Sequence, residues 1–301
     1  MTGPLDSLPH LHRGKVRDLY DSGDGTLLLV ASDRLSAFDV VMAEEIPEKG
    51  RVLTAMTAFW SDVLDNVMES ALITCDPDRI AAVVPGFDLE PGLAGRSMLS
   101  RRAEMVPLEC VVRARLAGSA YNEYRASGTI HTMPAPSGLE LTDPLPEPIF
   151  TPSTKEEVGH DVNISFDDAC GIVGEVLASE IRELCLALFE EAAGRVDAAG
   201  LVLADTKFEL GLIDGELVLC DEIVTPDSSR MWPKDAIVRG ETPPAFDKQP
   251  FRDWLAAKPW DRTPPPPAVP ADVVAATSQR YVAAYERVTG LSLADWYGHA
   301  S

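Results

Sequence analysis

The chain is short of cysteine and of positive charge: 301 residues hold five Cys, and 26 Lys and Arg stand against 48 Asp and Glu, a formal net charge of −22. Cys75, Cys110, Cys170, Cys185 and Cys220 are odd in number and form no C-x-x-C. That argues against a disulfide framework or a redox pair and predicts buried free thiols in a reducing, cytoplasmic setting. The excess of acid argues against nucleic acid or a membrane surface as partner, because both are polyanions and demand basic footprints. No apolar run nears the roughly 18–20 residues that span a bilayer, and Met1 to His12 lack the apolar core of a signal peptide. The five histidines make no zinc pattern, and the His10-x-His12 pair reads as part of a solvated strand or loop. No Walker motif occurs, and Gly23-x-Gly25 lacks the third glycine and the helix of a dinucleotide fingerprint.

What remains is ordinary globular material, 46% hydrophobic and 25% charged, enough for one large domain or two lobes. Val16 to Tyr20 and Thr26 to Ala31 read as strands joined in a hairpin by Ser22 to Gly25. Leu53 to Met68 has apolar residues at helical spacing. Arg96 to Arg102 and Met105 to Leu116 read as strands, and Ser119 to Ala126 as a short helix. The proline-rich stretch Met133 to Pro152 predicts a long loop. Asp167 to Ala193 predicts one helix, and Leu201 to Leu212 with Glu216 to Val224 a second hairpin about Asp214-Gly215. Helices are expected from Arg252 to Ala257 and from Ala271 to Thr289, separated by the stiff run Thr263 to Pro267. Strands cluster early and helices late, which points to an α+β protein.

Several segments could carry chemistry. Gly14-Lys15-Val16-Arg17-Asp18 puts a glycine between cations where the backbone could approach a phosphate, although an exposed hairpin end explains it as well. Asp205, Lys207 and Glu209 alternate along a strand and so share a face; two carboxylates and a lysine suit a Mg²⁺–nucleotide site, whereas a solvated strand gives the same alternation. A third acid depends on register. A two-residue turn at Asp214-Gly215 pairs Ile213 with Glu216 and puts Glu222 on the Glu209 face; a three-residue loop puts Asp221 there, and the spacing leaves both open. Arg113 and Arg115 share a strand face ahead of Gly118-Ser119, which opens a helix; an anion site and an edge strand with an ordinary serine cap fit equally. Thr225 to Arg230 is a hydroxyl-rich loop ending in arginine. Pro152 to Lys155, Gly159 to Asp161 and Asp33 to Asp39 are further polar sets.

In this order the segments resemble the SAICAR synthase (phosphoribosylaminoimidazole-succinocarboxamide synthase) family. The matching stretches are GKVRDLY (14–20), SDRLSAFD (32–39), IPEKGRVLT (46–54), ECVVRARLAGSA (109–120), PEPIFTPSTKEEVGHD (146–161), LADTKFELG (203–211), DEIVTPDSSRMW (221–232) and DKQPFRDWL (247–255). The resemblance implies a two-lobed α+β fold with ATP between the lobes. An antiparallel N-terminal lobe over residues 1–108, similar to a kinase small lobe, would cover the nucleotide phosphates, and a larger α+β lobe over 109–301 would hold substrate and metal. It also implies an activity: ATP-dependent joining of L-aspartate to the carboxylate of carboxyaminoimidazole ribotide (CAIR), in purine biosynthesis. By motif, Gly14, Lys15, Val16 and Arg17 would bind ATP phosphates and Glu109 would lie near adenine at the hinge. Arg113, Ser119, Asp205, Ser229 and Arg230 would hold CAIR, and Lys155 and Asp161 would help hold substrate carboxylates. Lys207, with Asp205, would serve the phosphoryl transfer, and Glu209 and Asp221 would bind Mg²⁺, which favours the three-residue loop. Val162 stands where relatives often have glutamate and receives no role, and Tyr121-Asn122 replaces a commoner Trp-Lys pair. The expected partners are small molecules, with the chain a monomer or small homo-oligomer. Two other readings share the plan: a small-molecule kinase, and a non-catalytic nucleotide-binding module, the latter opposed by the intact Lys207, Glu209 and Asp221.

Overall fold

In the computed structural model, which describes residues 3–38, 40–155, 162–246 and 249–297, turn chemistry sets the first sheet. Strands β1 (His10–Arg13), β2 (Arg17–Gly23) and β3 (Thr26–Ala31) form a meander, and Asp24 and Gly25, both at positive φ, close the β2–β3 hairpin. A small hairpin of β4 (Arg34–Ala37) and β5 (Val40–Glu45) follows, then helix α1 (Lys49–Leu64), β6 (Leu72–Thr74), the short α2 (Pro77–Ala81) and β7 (Ser97–Arg101). The five-stranded antiparallel sheet has the order β1-β2-β3-β7-β6. Leu28, Val30 and Leu99 pack on Ile80, Val84 and Phe87. Leu19, Leu27 and Leu29, on the opposite face by the period-2 rule, turn toward a cavity.

The second sheet is built on β9 (Leu108–Arg115) and the long β13 (Leu201–Ile213). The short β8 (Glu104–Met105) precedes β9, and between β9 and β13 come α3 (Gly118–Ser127), β10 (Thr129–Ile130), β11 (Met133–Pro134), β12 (Pro144–Thr154), α4 (Phe166–Val173) and α5 (Glu175–Ala198). After β13 follow β14 (Glu216–Cys220), β15 (Ser229–Pro233), α6 (Gln249–Ala256) and α7 (Ala271–Thr289). The strand order is β12-β9-β13-β14, with β8 and β15 also paired to β13. α5 supplies Ile181, Cys185, Leu188 and Phe189 to the main core, where they meet Cys110, Val112, Phe208 and Leu210 of the sheet. α1 adds Val52, Met56 and Trp60, and α7 adds Tyr281 and Tyr285.

Four expectations change. The loop expected over Met133 to Pro152 contains β12, an eleven-residue strand; its prolines are tolerated because β12 lies at the sheet edge, where a missing N–H costs no ladder bond. The single helix expected over Asp167 to Ala193 is two helices, broken at Gly174, whose φ of 90° and ψ of 148° favour glycine. The strand expected from Met105 to Leu116 is interrupted at Val106-Pro107. α1 starts at Lys49, four residues before the periodic apolar pattern, because its first turn is itself buried. By contrast α7 spans the expected residues. All five cysteines are free thiols, four of them buried, and no described helix is long and apolar enough to cross a membrane.

The turn between β10 and β11 places His131 and Thr132 at positive φ, held by Glu123, which accepts from the Thr132 N–H and the Thr129 hydroxyl. His131 is buried, and burial, reinforced by Arg113, lowers its pKa from 6.5 to about 4. The unfolded chain therefore takes up this proton first. Stability should fall as pH drops from about 6.5 toward 4 and level off below, by up to about 3 kcal/mol. His131→Asn, which tolerates the left-handed backbone, should flatten that limb in a pH series of thermal melts; an unchanged limb would assign it to other groups.

Candidate active site

Three adjacent strands place one carboxylate between two arginines. Asp205 on β13 is the register partner of Arg113 on β9 and of Arg230 on β15. Arg113 Nη1 donates to Asp205 Oδ2 at 3.2 Å, and Arg230 Nη1 donates to both Asp205 oxygens at 3.0 and 2.8 Å. Arg113 also donates to Thr151 Oγ1 and Ser119 Oγ. Burial pulls the Arg113 pKa down, against the pull of Asp205. The cluster carries two formal positive charges and one negative, and so favours a further anion. Gly118, at φ 56°, lies under Arg230: a Cβ there would sit 2.4 Å from its Nη2.

A change of phase aims the central strand. Leu201, Leu203, Phe208 and Leu210 all belong to the core, so the buried face switches between 203 and 208, where pairing to β15 slips at Leu203/Asp205. Such a bulge re-aims side chains. It leaves Asp205, Lys207 and Glu209 on the site face, as expected. Lys207 Nζ reaches Glu109 Oε1 at 2.6 Å and Glu209 Oε1 at 2.9 Å, and Lys155 Nζ reaches Glu209 Oε2 at 2.5 Å. Burial opposes the Lys207 charge, but Glu209 and Glu109 outweigh it and raise the pKa above the ordinary lysine value. Burial would raise Glu209, yet Lys207 and Lys155 hold it below the usual carboxylate range.

The β13–β14 turn corrects one expectation. Ile213 pairs with Glu216 and Glu209 with Cys220, so the turn is the two-residue Asp214-Gly215 and not a three-residue loop. Asp221 nevertheless reaches the site. β14 ends at Cys220 and Asp221 takes φ 55°, which breaks the strand alternation that would have turned it away. Asp221 Oδ1 lies 2.8 Å from Arg17 Nε, and Glu222 Oε1 lies 3.2 Å from Arg17 Nη2. Burial and the carboxylates of Glu222 and Glu209 push the Asp221 carboxyl up, against Arg17. The β1–β2 turn delivers Arg17: the Gly14 N–H donates to Arg17 O at 2.7 Å, and a Cβ on Gly14 would sit 2.8 Å from that oxygen.

These groups line two cavities that share a wall. One, of about 470 Å³, lies between Leu19, Leu27 and Leu29 of the first sheet and, on the other side, Glu209 of the second with Lys155 and Asp221 just beyond its strands β12 and β14. The other, of about 420 Å³, is bounded by Arg113, Ser119, Asp205, Ser229 and Arg230. Lys15, Val16, Glu109, Lys207 and Glu222 face both. A ligand in each would meet at Lys207. Glu209 and Asp221 offer hard carboxylate oxygens, and the crowding of acids around Asp221 suits a small hard cation. No group of three or more His, Cys, Asp or Glu converges as a metal site among the described residues; two protein carboxylates completed by phosphate oxygens is the arrangement Mg²⁺ takes.

Every site residue expected from the sequence lies on these walls except Asp161, which is outside the described residues. Sequence reasoning gave no role to Arg252 on α6 or to Ser36 on β4, which line the second cavity and an adjoining one of about 620 Å³. Both fall within stretches that carry the resemblance, which was the only signal for Arg252, whereas Ser36 also lies in the polar set Asp33 to Asp39.

An antiparallel sheet lobe over a larger α+β lobe, with two charged cavities joined at a lysine, defines a two-lobed enzyme of nucleotide-dependent group transfer. The chain belongs to the SAICAR synthetase family, whose model matches residues 10–267. It is 50% identical over 299 residues to the phosphoribosylaminoimidazole-succinocarboxamide synthase of Saccharopolyspora erythraea, covering 97% of each chain. It is 48% identical over 284 residues to that of Syntrophobacter fumaroxidans, covering 94% of this chain and 93% of the relative. The solved structure of SAICAR-synthase from Saccharomyces cerevisiae, complexed with SAICAR, matches with a TM-score of 0.87 at 40% identity, over 97% of this chain and 98% of that one.

Proposed function

We propose that this chain is an ATP-dependent carbon–nitrogen ligase that joins L-aspartate to the carboxylate of CAIR, giving SAICAR, ADP and phosphate in purine biosynthesis. The observation that carries the reading is the junction of the two cavities at Lys207 and Glu109. ATP occupies the cavity with apolar walls: Gly14, Lys15, Val16 and Arg17 cover its phosphates and Glu109 lies toward adenine. CAIR occupies the other, held by Arg113, Ser119, Ser229 and Arg230, with Asp205 fixing both arginines. Mg²⁺, bound through Glu209 and Asp221, supplies charge neutralisation of the phosphates. Lys207 neutralises the phosphoryl group in transit, and Lys155 and Asp161 assist with substrate carboxylates. A carboxylate is a poor acyl donor, so ATP converts it to an acyl phosphate; the aspartate amine then attacks the carbonyl carbon and phosphate leaves. The protein contributes positioning and fixed charge, which agrees with the absence of a Ser–His or Cys–His nucleophile in the motif set. The lobes of this reading are 1–108 and 109–301, although α1 packs into the core of the larger one. Buried free thiols support a cytoplasmic setting.

Phosphate release from ATP should require CAIR, and amide formation should require aspartate as well. A small-molecule kinase would instead leave the phosphoryl group on its acceptor. Arg230→Ala should weaken CAIR binding about ten- to a hundredfold and ATP binding far less, as expected for one charge-assisted hydrogen bond. Equal losses for both ligands in calorimetry would make Arg230 structural, and turnover of ATP indifferent to CAIR would overturn the reading.

A further inference from the structure

The loop that runs through Ser228 into Ser229 and Arg230 of β15 is tied from behind to two distant helices. Its Asp227 lines the CAIR cavity, but the carboxylate itself is buried and turned into the protein. Oδ1 accepts from the Tyr281 hydroxyl of α7 at 2.5 Å, and Oδ2 lies 2.8 Å from Lys49 Nζ of α1. Lys49 and Tyr281 are both fully buried, with the ammonium 5.6 Å from the centre of the Tyr281 ring. The front of the loop is tied separately. Thr225 Oγ1 donates to Glu222, Lys207 N donates to Ser228 O, and the Ser229 and Thr206 hydroxyls lie 2.7 Å apart.

A buried ion pair is a poor source of stability, because desolvating two charges offsets their attraction and apolar replacements often serve as well. In some proteins such a pair instead fixes one conformation. We propose that Lys49, Asp227 and Tyr281 are positioning residues for the ligase reaction: they hold the Ser228–Arg230 segment where it meets the phosphorylated imidazole substrate. The helix α7, at the far end of the chain, is thereby part of the substrate site although it touches neither cavity. The proposal rests on the reading that this cavity takes CAIR.

The test measures KM for CAIR, KM for ATP and the melting temperature for two variants. Tyr281→Phe removes one hydroxyl. The double variant Lys49→Met/Asp227→Asn removes both charges together and leaves no orphan ion. KM for CAIR should rise about tenfold in each, as for a lost charge-assisted hydrogen bond. KM for ATP should stay within about twofold and the melting temperature of Tyr281→Phe within a few degrees. Unchanged KM for CAIR in both variants, or equal rises for CAIR and ATP that track a lowered melting temperature, would overturn the proposal. Arg230→Ala in the same assays separates the two levels. If it leaves KM for CAIR unchanged, the reading of the cavity fails; if it raises KM and neither buried variant does, only the positioning role fails.

Discussion

Glu209→Gln and Asp221→Asn should each lower turnover by about 10²–10³, the usual cost of one preorganised electrostatic contact. Both carboxylates border the cavity assigned to ATP, on the side where Lys207 joins it to the other. In Glu209→Gln the loss is compounded, because Lys155 and Lys207 both rest on that carboxylate. Glu222→Gln should cost only about tenfold. Its amide oxygen still accepts from Thr225 Oγ1, and Arg17 retains Asp221. A Mg²⁺ titration of turnover for the three variants distinguishes the assignments. Glu209→Gln and Asp221→Asn should need more Mg²⁺ for half-maximal rate, while Glu222→Gln should not. A crippled Glu222→Gln beside a near-normal Asp221→Asn would move the cation to Glu222.

Glu222 competes for the role because the hairpin register favours it. The period-2 rule from a two-residue turn puts Glu222 on the Glu209 face, and that rule is sound as long as the strand continues. It stops at Cys220, and one left-handed residue returns Asp221 to the site. Strand alternation is a local property, so the shared face of Asp205, Lys207 and Glu209 was legible in the residues. The end of β14 depends on where Arg17 anchors Asp221 and Glu222, and that is a contact of long sequence separation. The bulge at Leu203/Asp205 was hidden for the same reason. The run of alternating apolar and charged residues has no mark at which its phase changes; pairing with β15 reveals it.

Arg113 and Arg230 show the same division. Each stood out as a cation next to glycine or hydroxyl residues, but their convergence on one carboxylate needs the strand order β9-β13-β15, which no local pattern encodes. β12 was hidden behind its prolines, whose usual meaning changes at a sheet edge. α7 was legible to the residue because both ends are marked, by Pro270 before it and by Gly290 at φ 74° after it. Lys49 and Asp227 lay in stretches that carried the family resemblance, yet nothing in the sequence linked them to Tyr281.

Asp205→Asn should be the most destabilising single change at the site. The buried carboxylate bridges the guanidinium groups of Arg113 and Arg230 in the three-strand register, and both oxygens are engaged by arginine. An amide in its place removes the counter-charge and turns an N–H₂ toward at least one donor. Breaking a buried pair this way costs about 3–5 kcal/mol. At about 2–4 °C per kcal/mol, the figure for chains of roughly 150–250 residues, the melting temperature should fall by about 6–20 °C. The sign of the remaining charge provides a second measurement. Two arginines without their carboxylate bind an anion more readily, so inorganic phosphate should raise the melting temperature of Asp205→Asn more than that of the unaltered protein. A melting temperature within about 2 °C of the parent, or no differential response to phosphate, would mean that solvent and the neighbouring Ser119 and Thr151 hydroxyls suffice to hold the arginines apart.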